Sequence, residues 1–348
     1  MLEIVARRII EGQPAPDSAT CGGLRVLAVI PAGRGVVYAT RQVSSLANIG
    51  VQIRTFLLLS RTSPLIVMKE FMRLRREIDE FCPHVLHAHF GTMTSFVCAA
   101  TFSTTPLVIS FRGSDLNGDP EGRLLRSLLG QLLSQISSLR ATRIICMSGQ
   151  LRDRLWWNRR RAIVIPDGVD LELFRPQPKD QARKLLGWEQ GTRIVLCHGG
   201  NRPRLKGLHF IQAAVRVAEK SLGPIRLVNL DGSLPPESVP SWLNAADCLA
   251  LASLREGSPN IVKEALACNL PIVTTDVGDV SQRLHQVEPS RVVRRDPTDF
   301  GKALTELLLE NRSSNGREQV ENLASTHIAG AIRSIYEGMV DAAAKCTS

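Results

Sequence analysis

The stretch REGSPNIVKEALACNLPIVTTDVGD, residues 255–279, follows the apolar run CLALASL at residues 248–254. That run has the length and composition of a buried strand, and the segment IVKEALA has the apolar spacing of a helix. A loop from a strand to a helix lies at the carboxyl end of the strand, the edge of an open α/β sheet where ligands bind. The stretch therefore predicts an α/β sheet with a ligand site at residues 256–260.

The residues of this loop suit a phosphate ligand that carries hydroxyl groups. Ser258 can cap the helix, Pro259 suits its first position, and Gly257 lets the backbone approach a ligand closely. Free amides at a helix start favour a phosphate, and the carboxylates of Glu256 and Glu264 can accept hydroxyl hydrogens. A glutamate early in a helix also stabilises the helix dipole without any ligand. The spacing of the two glutamates alone leaves both interpretations open.

The rest of the chain alternates short apolar strands with helical segments, which predicts parallel sheets covered by helices on both faces. The first half has strands within 24–35, 51–60, 84–91, 106–113 and 142–149, and helices near 36–49, 65–80, 92–100 and 121–139. After a turn-rich connection at 162–176, strands follow within 193–200, 225–230 and 248–254, with helices near 207–220 and 238–245. This pattern predicts two doubly wound domains.

The composition is that of a soluble globular protein, because 44% of the 348 residues are hydrophobic and 22% are charged. The formal net charge of +10 predicts an anionic partner, and no nucleic-acid recognition module is found. The eight cysteines have neither a Cys-x-x-Cys pair nor zinc-ligand spacing, which is typical of a reducing cytosol. Neither a signal peptide nor a membrane-spanning segment is predicted.

Four longer segments carry a family resemblance. Residues 239–280, which contain the two glutamates, strongly resemble the family 4 glycosyltransferases of the GT-B fold, retaining enzymes with an EX7E motif. VIPDGVDLELFRP at 164–176 resembles the interdomain signature of that family, and the segments PHVLHAHFG and VISFRGSDLNGD are similar to its acceptor-domain segments. The resemblance runs in order from about residue 25 to residue 340.

The resemblance implies an α/β architecture of the GT-B class, with two Rossmann-like doubly wound domains that face an interdomain cleft. Residues 1–23 are expected to form a variable leader and residues 24–168 the acceptor-binding domain. Residues 169–325 are expected to bind the sugar nucleotide. Residues 326–348 are expected to form a helix that crosses back to the first domain.

The resemblance also implies roles for the residues of the donor domain. Glu256 would contact the hydroxyls of the donor sugar, and Glu264 would hold the ribose of the nucleotide. The amides of Gly257 and Ser258 would line the sugar and the diphosphate, in a loop shaped by Pro259 and Asn260.

A cationic group is implied for the diphosphate that leaves. Lys206, which matches the lysine of the family's Lys-Gly step, would neutralise this diphosphate. The usual arginine five residues before the lysine is Asn201 here, which leaves Arg202 or Arg204 to take its place. No Asp-x-Asp sequence occurs, so neither a metal ion nor another cofactor is expected beyond the UDP- or GDP-sugar substrate.

In the first domain, the resemblance places His89 against the donor sugar near the reacting carbon, whereas His87 is expected to be structural. Gly33 and Gly35 match a glycine loop that approaches the donor phosphates. Tyr38 occupies the third position of a GxGxxG pattern, which argues against a nicotinamide-dependent dehydrogenase.

Two further sets of residues are assigned to the acceptor side. The loop residues Arg112, Ser114 and Asp115 are expected to position the acceptor. The segment LRDRLWWNRRR at 151–161 either contacts a membrane surface or forms a helix with its tryptophans turned inward.

The sequence thus predicts a retaining, metal-independent glycosyltransferase that transfers a sugar from a UDP- or GDP-sugar to a hydroxyl group. The acceptor is expected to be a bacterial cell-surface polysaccharide or a lipid-linked glycan, which places the protein in the cytoplasm at the inner face of the membrane. Two alternatives stay open. A nucleotide-sugar epimerase of the same fold would need no acceptor, and a non-catalytic protein would bind the sugar nucleotide without turnover.

Overall fold

The computed structural model describes residues 23–32, 36–59, 63–118, 124–200 and 202–347. The chain divides into two compact units, with boundaries after Gly168 and after Ala324. The first unit contains the residues up to Gly168 together with those from Ser325 onward, and the second contains Val169–Ala324. Gly33 and Gly35, which were assigned to a phosphate loop, and Asn201 lie outside the described residues.

The first unit is built on a six-stranded parallel sheet. Its strands are β1 (Arg25–Pro31), β2 (Gln52–Leu58), β3 (Val85–His89), β4 (Leu107–Phe111), β5 (Arg143–Cys146) and β6 (Ala162–Val164). Its α-helices are α1 (Val36–Asn48), α2 (Pro64–Phe81), α3 (Thr92–Ala100), α4 (Ser114–Asn117), α5 (Leu124–Arg140), α6 (Gly149–Asp153) and α13 (Ser325–Thr347). The strands lie in the order β2-β1-β3-β4-β5-β6.

The second unit is built on a five-stranded parallel sheet. Its strands are β7 (Arg193–Cys197), β8 (Ile225–Asn229), β9 (Cys248–Leu251), β10 (Ile272–Thr275) and β11 (Arg291–Val293). Its α-helices are α7 (Lys179–Leu185), α8 (Leu208–Leu222), α9 (Val239–Ala245), α10 (Asn260–Ala267), α11 (Val280–Leu284) and α12 (Pro297–Glu310). The strands lie in the order β11-β10-β9-β7-β8.

The central strands are buried along their whole length because helices cover both faces of each sheet. All five residues of β3 and β4, and all four of β9 and β10, are buried. A separate hydrophobic core forms in each unit, between its strands and the apolar faces of its helices. This confirms the α/β class that the alternating pattern predicts.

Each sheet has a point at which the chain changes direction. Strand β1 lies between β2 and β3, and strand β7 lies between β8 and β9, so successive connections leave to opposite sides. In open α/β sheets, such a switch point opens a crevice at the carboxyl ends of the two strands, and ligands bind there. A ligand site is therefore expected at the loops after β1 and β3 in the first sheet, and at those after β7 and β9 in the second.

Helix α13 belongs to the first unit. The hydroxyl of Tyr336 lies 2.6 Å from Nδ1 of His87 in β3, and Arg333 donates a hydrogen bond to the carbonyl of Ile49 at 2.8 Å. Nε2 of His87 lies 2.7 Å from the hydroxyl of Ser110 in β4. Both ring nitrogens of His87 therefore have protein partners, as expected for a structural histidine.

The structure corrects two local predictions. The connection predicted at 162–176 begins with a sixth strand, β6, which pairs with β5 in parallel. The segment 151–161 is not one helix, because α6 ends at Asp153 and a 3-10 helix covers Arg159–Arg161. Among the described helices, none is long and apolar enough to cross a membrane.

Candidate functional site

The switch point of the second sheet brings together two charged residues of the predicted donor site. Lys206 lies in the connection after β7, and Glu256 lies in the loop after β9. Nζ of Lys206 donates a hydrogen bond to Oε1 of Glu256 at 2.6 Å, and the same oxygen accepts one from the hydroxyl of Ser253 at 2.7 Å. The side chains of Lys206 and Glu256 are 20% and 13% exposed, so the ion pair is only partly screened by water.

The backbone beside Lys206 is fixed by a close contact between these two loops. Gly207 has φ +72° and is the N-cap residue directly before α8, and a Cβ at this position would overlap the carbonyl oxygen of Ala252. The amide of Leu254 donates to the carbonyl of Leu205 at 2.8 Å, and Arg295 donates to the carbonyl of Ala252 at 2.6 Å. Glycine is needed here because the conformation and the close approach exclude a side chain.

Ser258 does not cap the helix as the sequence predicts. Helix α10 begins at Asn260, and the hydroxyl of Ser258 instead donates to Oδ2 of Asp279 at 2.9 Å. Asp279 also accepts from Nε of Arg283 at 3.0 Å, so its negative charge is compensated. The Ser258 hydroxyl therefore ties the loop after β9 to the loop after β10.

The loop after β10 also contacts Gly257. A Cβ on Gly278 would come within 2.6 Å of the carbonyl oxygen of Gly257, so the two loops touch through their backbones.

Glu264 is the fifth residue of α10, where it is 8% exposed. Among the arginines assigned to the phosphates, Arg202 is half-buried and Arg204 is exposed. Both stand in the turn whose carbonyls accept from the amides of Lys206 and Gly207.

His198, at the end of β7, was missed by the sequence reasoning. Burial, with a smaller contribution from the charge of Lys206, lowers the pKa of His198 to about 4, so the ring is neutral at physiological pH. The negative charge of Glu256 opposes this shift, which places the ring electrostatically near both members of the ion pair. Its position directly after a predicted central strand could have identified His198 from the sequence as a candidate site residue.

The carboxyl edge of the first sheet holds a second polar cluster, at the ends of β3 and β4 around Arg112. Its guanidinium donates to both carboxylate oxygens of Asp167 at 2.5 and 2.7 Å and to Oε1 of Gln42 at 3.1 Å. It also lies 3.4 Å from Nδ1 of His89. Asp167 and Gln42 are further residues that the sequence reasoning did not select.

His89 ends β3 within this cluster, and its ring is stacked on that of His87 with centroids 3.9 Å apart. Burial, with the nearby His87 and Arg112, lowers the pKa of His89 well below its ordinary value, so the ring is neutral. Because arginine can only donate, the contact with Arg112 makes Nδ1 the acceptor and leaves the proton on Nε2. Within the part of the chain that the structure describes, Nε2 is buried and has no hydrogen-bond partner.

Asp115 and Ser114 have different environments, although both were assigned to the acceptor. Ser114 is exposed, whereas Asp115 is fully buried. The Asp115 carboxylate accepts from the amides of Gly91, Arg112 and Gly113 at 3.0, 2.9 and 2.8 Å. Burial raises the pKa of Asp115, and these hydrogen bonds oppose the rise. Asp115 therefore joins the loops after β3 and β4.

Two family models match consecutive parts of the chain. The model described as Glycosyltransferase Family 4 matches residues 23–173, and the model described as Glycosyl transferases group 1 matches residues 192–310. Together these ranges cover more than half of the chain. The chain belongs to the family 4, group 1 glycosyltransferases.

Curated members of this family show similarity over part of their length. A Bacillus subtilis protein named as a teichuronic acid biosynthesis glycosyltransferase is 29% identical over 218 residues, which cover 57% of this chain and 54% of that protein. The Escherichia coli UDP-Gal:alpha-D-GlcNAc-diphosphoundecaprenol alpha-1,3-galactosyltransferase is 27% identical over 166 residues, which cover 39% of this chain and 43% of that protein. The chain thus matches about half of the length of these relatives.

Solved structures extend the likeness over nearly the whole chain. Sucrose-phosphate synthase from Thermosynechococcus elongatus has a TM-score of 0.78 at 17% identity and covers 91% of this chain and 99% of its own. The Anabaena protein HepE in complex with UDP-glucose has a TM-score of 0.65 at 15% identity, with 92% of this chain and 99% of its own covered. These neighbours confirm the GT-B class of the fold.

Among the described residues, no group of three or more His, Cys, Asp or Glu side chains could hold a metal ion.

The six described cysteines are free, and five of them are buried. Burial raises the pKa of the Cys98 thiol, which lies in the core of the first unit. The buried cysteines therefore act as small apolar residues.

Proposed function

We propose that this family member is a retaining glycosyltransferase that transfers a sugar from a UDP- or GDP-sugar to a hydroxyl group without a metal ion. The observation that carries the proposal is the meeting of Lys206 and Glu256 at the switch point of the second sheet, 2.6 Å apart. A cation for the diphosphate and a carboxylate for the sugar hydroxyls thus lie side by side, at the edge where α/β proteins bind nucleotides.

The ion pair offers a route from binding to chemistry. A diphosphate that approaches Lys206 competes with Glu256 for the ammonium group, and the carboxylate that is released can accept the hydroxyl hydrogens of the sugar. During transfer, the bond between the anomeric carbon and the diphosphate oxygen breaks, and negative charge builds up on that oxygen. Lys206 stabilises this charge, which is worth several kcal/mol in a site that excludes water.

The proposed transfer keeps the anomeric configuration through a front-face displacement. The acceptor oxygen forms a bond to the anomeric carbon on the face from which the diphosphate departs. The proton of the acceptor hydroxyl passes to the departing phosphate oxygen, so no carboxylate nucleophile is needed. Gly257 and Ser258 supply backbone amides for the phosphates, with Pro259 and Asn260 shaping their loop, and Arg202 or Arg204 adds a positive charge.

Glu264 and His89 are each proposed to contact the substrate. Glu264, at 8% exposure in α10, is proposed to accept the ribose hydroxyls of the nucleotide. His89 is proposed to donate a hydrogen bond from Nε2 to a sugar oxygen, because this buried N–H has no protein partner among the described residues. A buried donor without a partner costs about 1–3 kcal/mol, and a substrate oxygen would remove that cost.

The acceptor is proposed to be a lipid-linked glycan or a growing cell-surface polysaccharide. One relative is named for teichuronic acid biosynthesis, and another for transfer from UDP-Gal to a diphosphoundecaprenol-linked sugar. The second name also favours UDP over GDP as the donor nucleotide. Such an acceptor would place the enzyme in the cytoplasm at the inner face of the membrane.

The donor is tested by calorimetric titration with a panel of UDP- and GDP-sugars. We expect one nucleotide class to bind, and Glu264→Ala to weaken that binding by about tenfold through the loss of ribose contacts. Glu306→Ala, which removes an exposed carboxylate of the same unit, is the control and should bind as the wild type does. Equal binding by the Glu264 variant and the wild type would argue against the ribose role.

The reaction is tested with radiolabelled donor and membrane lipid extract. Label that moves into a lipid or polysaccharide fraction supports glycosyl transfer. Conversion of the donor into an epimer without acceptor would identify an epimerase, and donor binding without any product would identify a binding protein. Either of these results would overturn the proposal.

A further inference from the structure

Helix α5 exposes its large apolar side chains and buries polar ones. Seven large apolar side chains of this helix point to solvent, and the most exposed are Leu125 at 83% and Leu124 at 71%. The residues that the helix buries are polar: Ser134, Gln135, Ser137 and Ser138. The exposed apolar stripe is defined by Leu124, Leu125, Leu128, Leu129, Leu132, Ile136 and Leu139.

The polar contacts of α5 hold the helix in this orientation. The hydroxyl of Ser134 accepts from the amide of Thr92 at 2.7 Å, and the hydroxyls of Ser137 and Ser95 lie 2.8 Å apart. Small serine side chains let α5 pack closely on α3. A rotation that buried the leucines would break these hydrogen bonds and place bulky side chains in the contact with α3.

The stripe has the repeat of one helix face. Its members recur at intervals of three or four residues, and a helix of 17 residues is about 25 Å long. A soluble surface rarely leaves an apolar face of this extent in water, and a face of this kind marks an interaction site.

The charged residues of α5 are positive. Helix α5 contains Arg126 and Arg140 and no acidic residue. Along the chain, the residues from 124 to 161 contain eight arginines and one aspartate, Asp153. Helix α5 therefore presents an apolar face together with positive charge, the arrangement that binds an anionic lipid surface.

Aromatic side chains extend this surface. Trp156 is 59% exposed, and its amide donates to Oε1 of Gln135 at 3.0 Å, which holds the segment after α6 against α5. Phe102 is exposed, and the guanidinium of Arg140 lies over its ring at 5.3 Å. Tryptophan and arginine both suit the boundary between lipid head groups and acyl chains.

A second apolar patch lies on α2. The first half of α2 exposes Leu65, Ile66, Met68 and Met72, and α3 packs against both α2 and α5. Because α2 and α5 each follow a parallel strand, both helices begin at the carboxyl edge of the first sheet. The apolar ends of the two helices thus flank the edge at which the acceptor is expected.

We propose that the stripe on α5, with Arg126, Arg140 and Trp156, docks the protein on an anionic phospholipid bilayer. The proposal rests on the proposed function only for the acceptor, which the membrane would carry. A second copy of the chain fits less well, because pairing the α5 faces would bring Arg126 and Arg140 against like charges. A lipid surface supplies both the apolar and the anionic component.

The test uses the full-length chain with two kinds of vesicle, phosphatidylcholine alone and phosphatidylcholine mixed with phosphatidylglycerol. The wild type is expected to float with the mixed vesicles and less with the neutral ones, and high salt should reduce its binding. The substitutions Leu125→Gln and Leu128→Gln, made together, should weaken binding by about tenfold or more. Arg126→Glu with Arg140→Glu should do the same.

Two exposed leucines of the second unit provide the matched control. Leu185→Gln with Leu309→Gln removes the same kind of side chain and should bind vesicles as the wild type does. No binding by the wild type, or equal loss in the control, would overturn the proposal. Self-association that the Leu125 variant abolishes would assign the stripe to a second copy instead, and overturn it too.

Donor binding by the same variants separates this inference from the proposed function. Variants that lose vesicle binding should titrate with the sugar nucleotide as the wild type does. Vesicle binding without glycosyl transfer would support the docking surface and contradict the proposed glycosyl transfer. Transfer to a lipid-linked acceptor without vesicle binding would support the proposed glycosyl transfer and contradict the docking surface.

Discussion

Nζ of Lys206 lies 2.6 Å from Oε1 of Glu256, although fifty residues separate them in the chain. They meet because β7 and β9 are neighbours in the second sheet, so the loops that follow them leave the same edge. Ser253 donates to the same carboxylate oxygen at 2.7 Å, which fixes the direction of the Glu256 side chain. The site thus keeps its cation and its carboxylate together at the switch point.

This pairing predicts non-additive effects on stability. Lys206→Met removes the cation from a carboxylate that is only 13% exposed, which should lower the free energy of unfolding by about 1–3 kcal/mol. Glu256→Gln in the Lys206→Met background should recover part of this loss, because the carboxylate no longer needs a cation. Urea unfolding of the wild type, both single variants and the double variant measures the coupling.

Activity should behave differently in the same four proteins. The double variant has neither the cation nor the carboxylate, so glycosyl transfer should stay at least about 100-fold below that of the wild type. Additive stability changes would show that the two side chains do not interact in solution. Recovery of transfer in the double variant would remove Lys206 from the mechanism.

Gly207 offers a clean test of the backbone contact beside Lys206. Gly207→Ala should destabilise the second unit by much more than about 1–2 kcal/mol, because its Cβ would overlap the Ala252 carbonyl in addition to the strain of φ +72°. Gly223→Ala is the matched control. Gly223 has φ +74° with nothing within 4 Å of the new Cβ, so only the strain applies. Melting temperatures that fall equally in the two variants would contradict the close contact.

The strands and the residues that end or follow them were predictable from the sequence, because parallel strands buried on both faces are largely apolar. That pattern placed His89 at the end of β3 and Glu256 in the loop after β9, where the structure has them.

Local chemistry misled the prediction where a tertiary contact competes with it. Ser258 has the side chain of a helix cap, but Asp279, 21 residues later, accepts its hydrogen bond. The periodicity of residues 121–139 likewise shows which side chains share a face of α5. It cannot show that serine contacts with α3 turn the apolar face outward.

Asp115 is predicted to be important for stability. Asp115→Asn replaces one of its carboxylate oxygens by an amide group that cannot accept a hydrogen bond, so a buried backbone N–H loses its partner. The free energy of unfolding should fall by about 1–3 kcal/mol. Ser114→Ala, at the exposed neighbouring position, should change stability little. If Asp115→Asn keeps the wild-type stability but loses transfer, the carboxylate acts on the acceptor instead.

Removal of divalent cations should leave the reaction intact. In the proposed mechanism Lys206, with Arg202 or Arg204, offsets the charge of the departing diphosphate, so transfer in excess EDTA should equal transfer without it. The initial rates of product formation under both conditions measure this. A rate that collapses in EDTA and returns with added Mg²⁺ or Mn²⁺ would show that the cationic side chains do not suffice.

The buried histidines predict that acid weakens the fold. Burial, with a smaller contribution from Arg112, lowers the pKa of His87 to about 3, and burial with Lys206 lowers that of His198 to about 4. In the unfolded chain a histidine binds a proton near pH 6.5. Between about pH 6.5 and 4 the unfolded state therefore holds more protons than the folded state, and stability falls as the pH falls.

Each such histidine should contribute about 1.4 kcal/mol per pH unit to this loss. His87→Gln cannot take up the proton, so its stability should fall less steeply than that of the wild type between about pH 6.5 and pH 5. The difference in free energy of unfolding between the two proteins should shrink accordingly, and His198→Gln should show the same trend in the second unit. Urea unfolding across this range measures both differences. A difference that stays constant would mean that these rings are protonated in the folded protein as readily as in the unfolded chain.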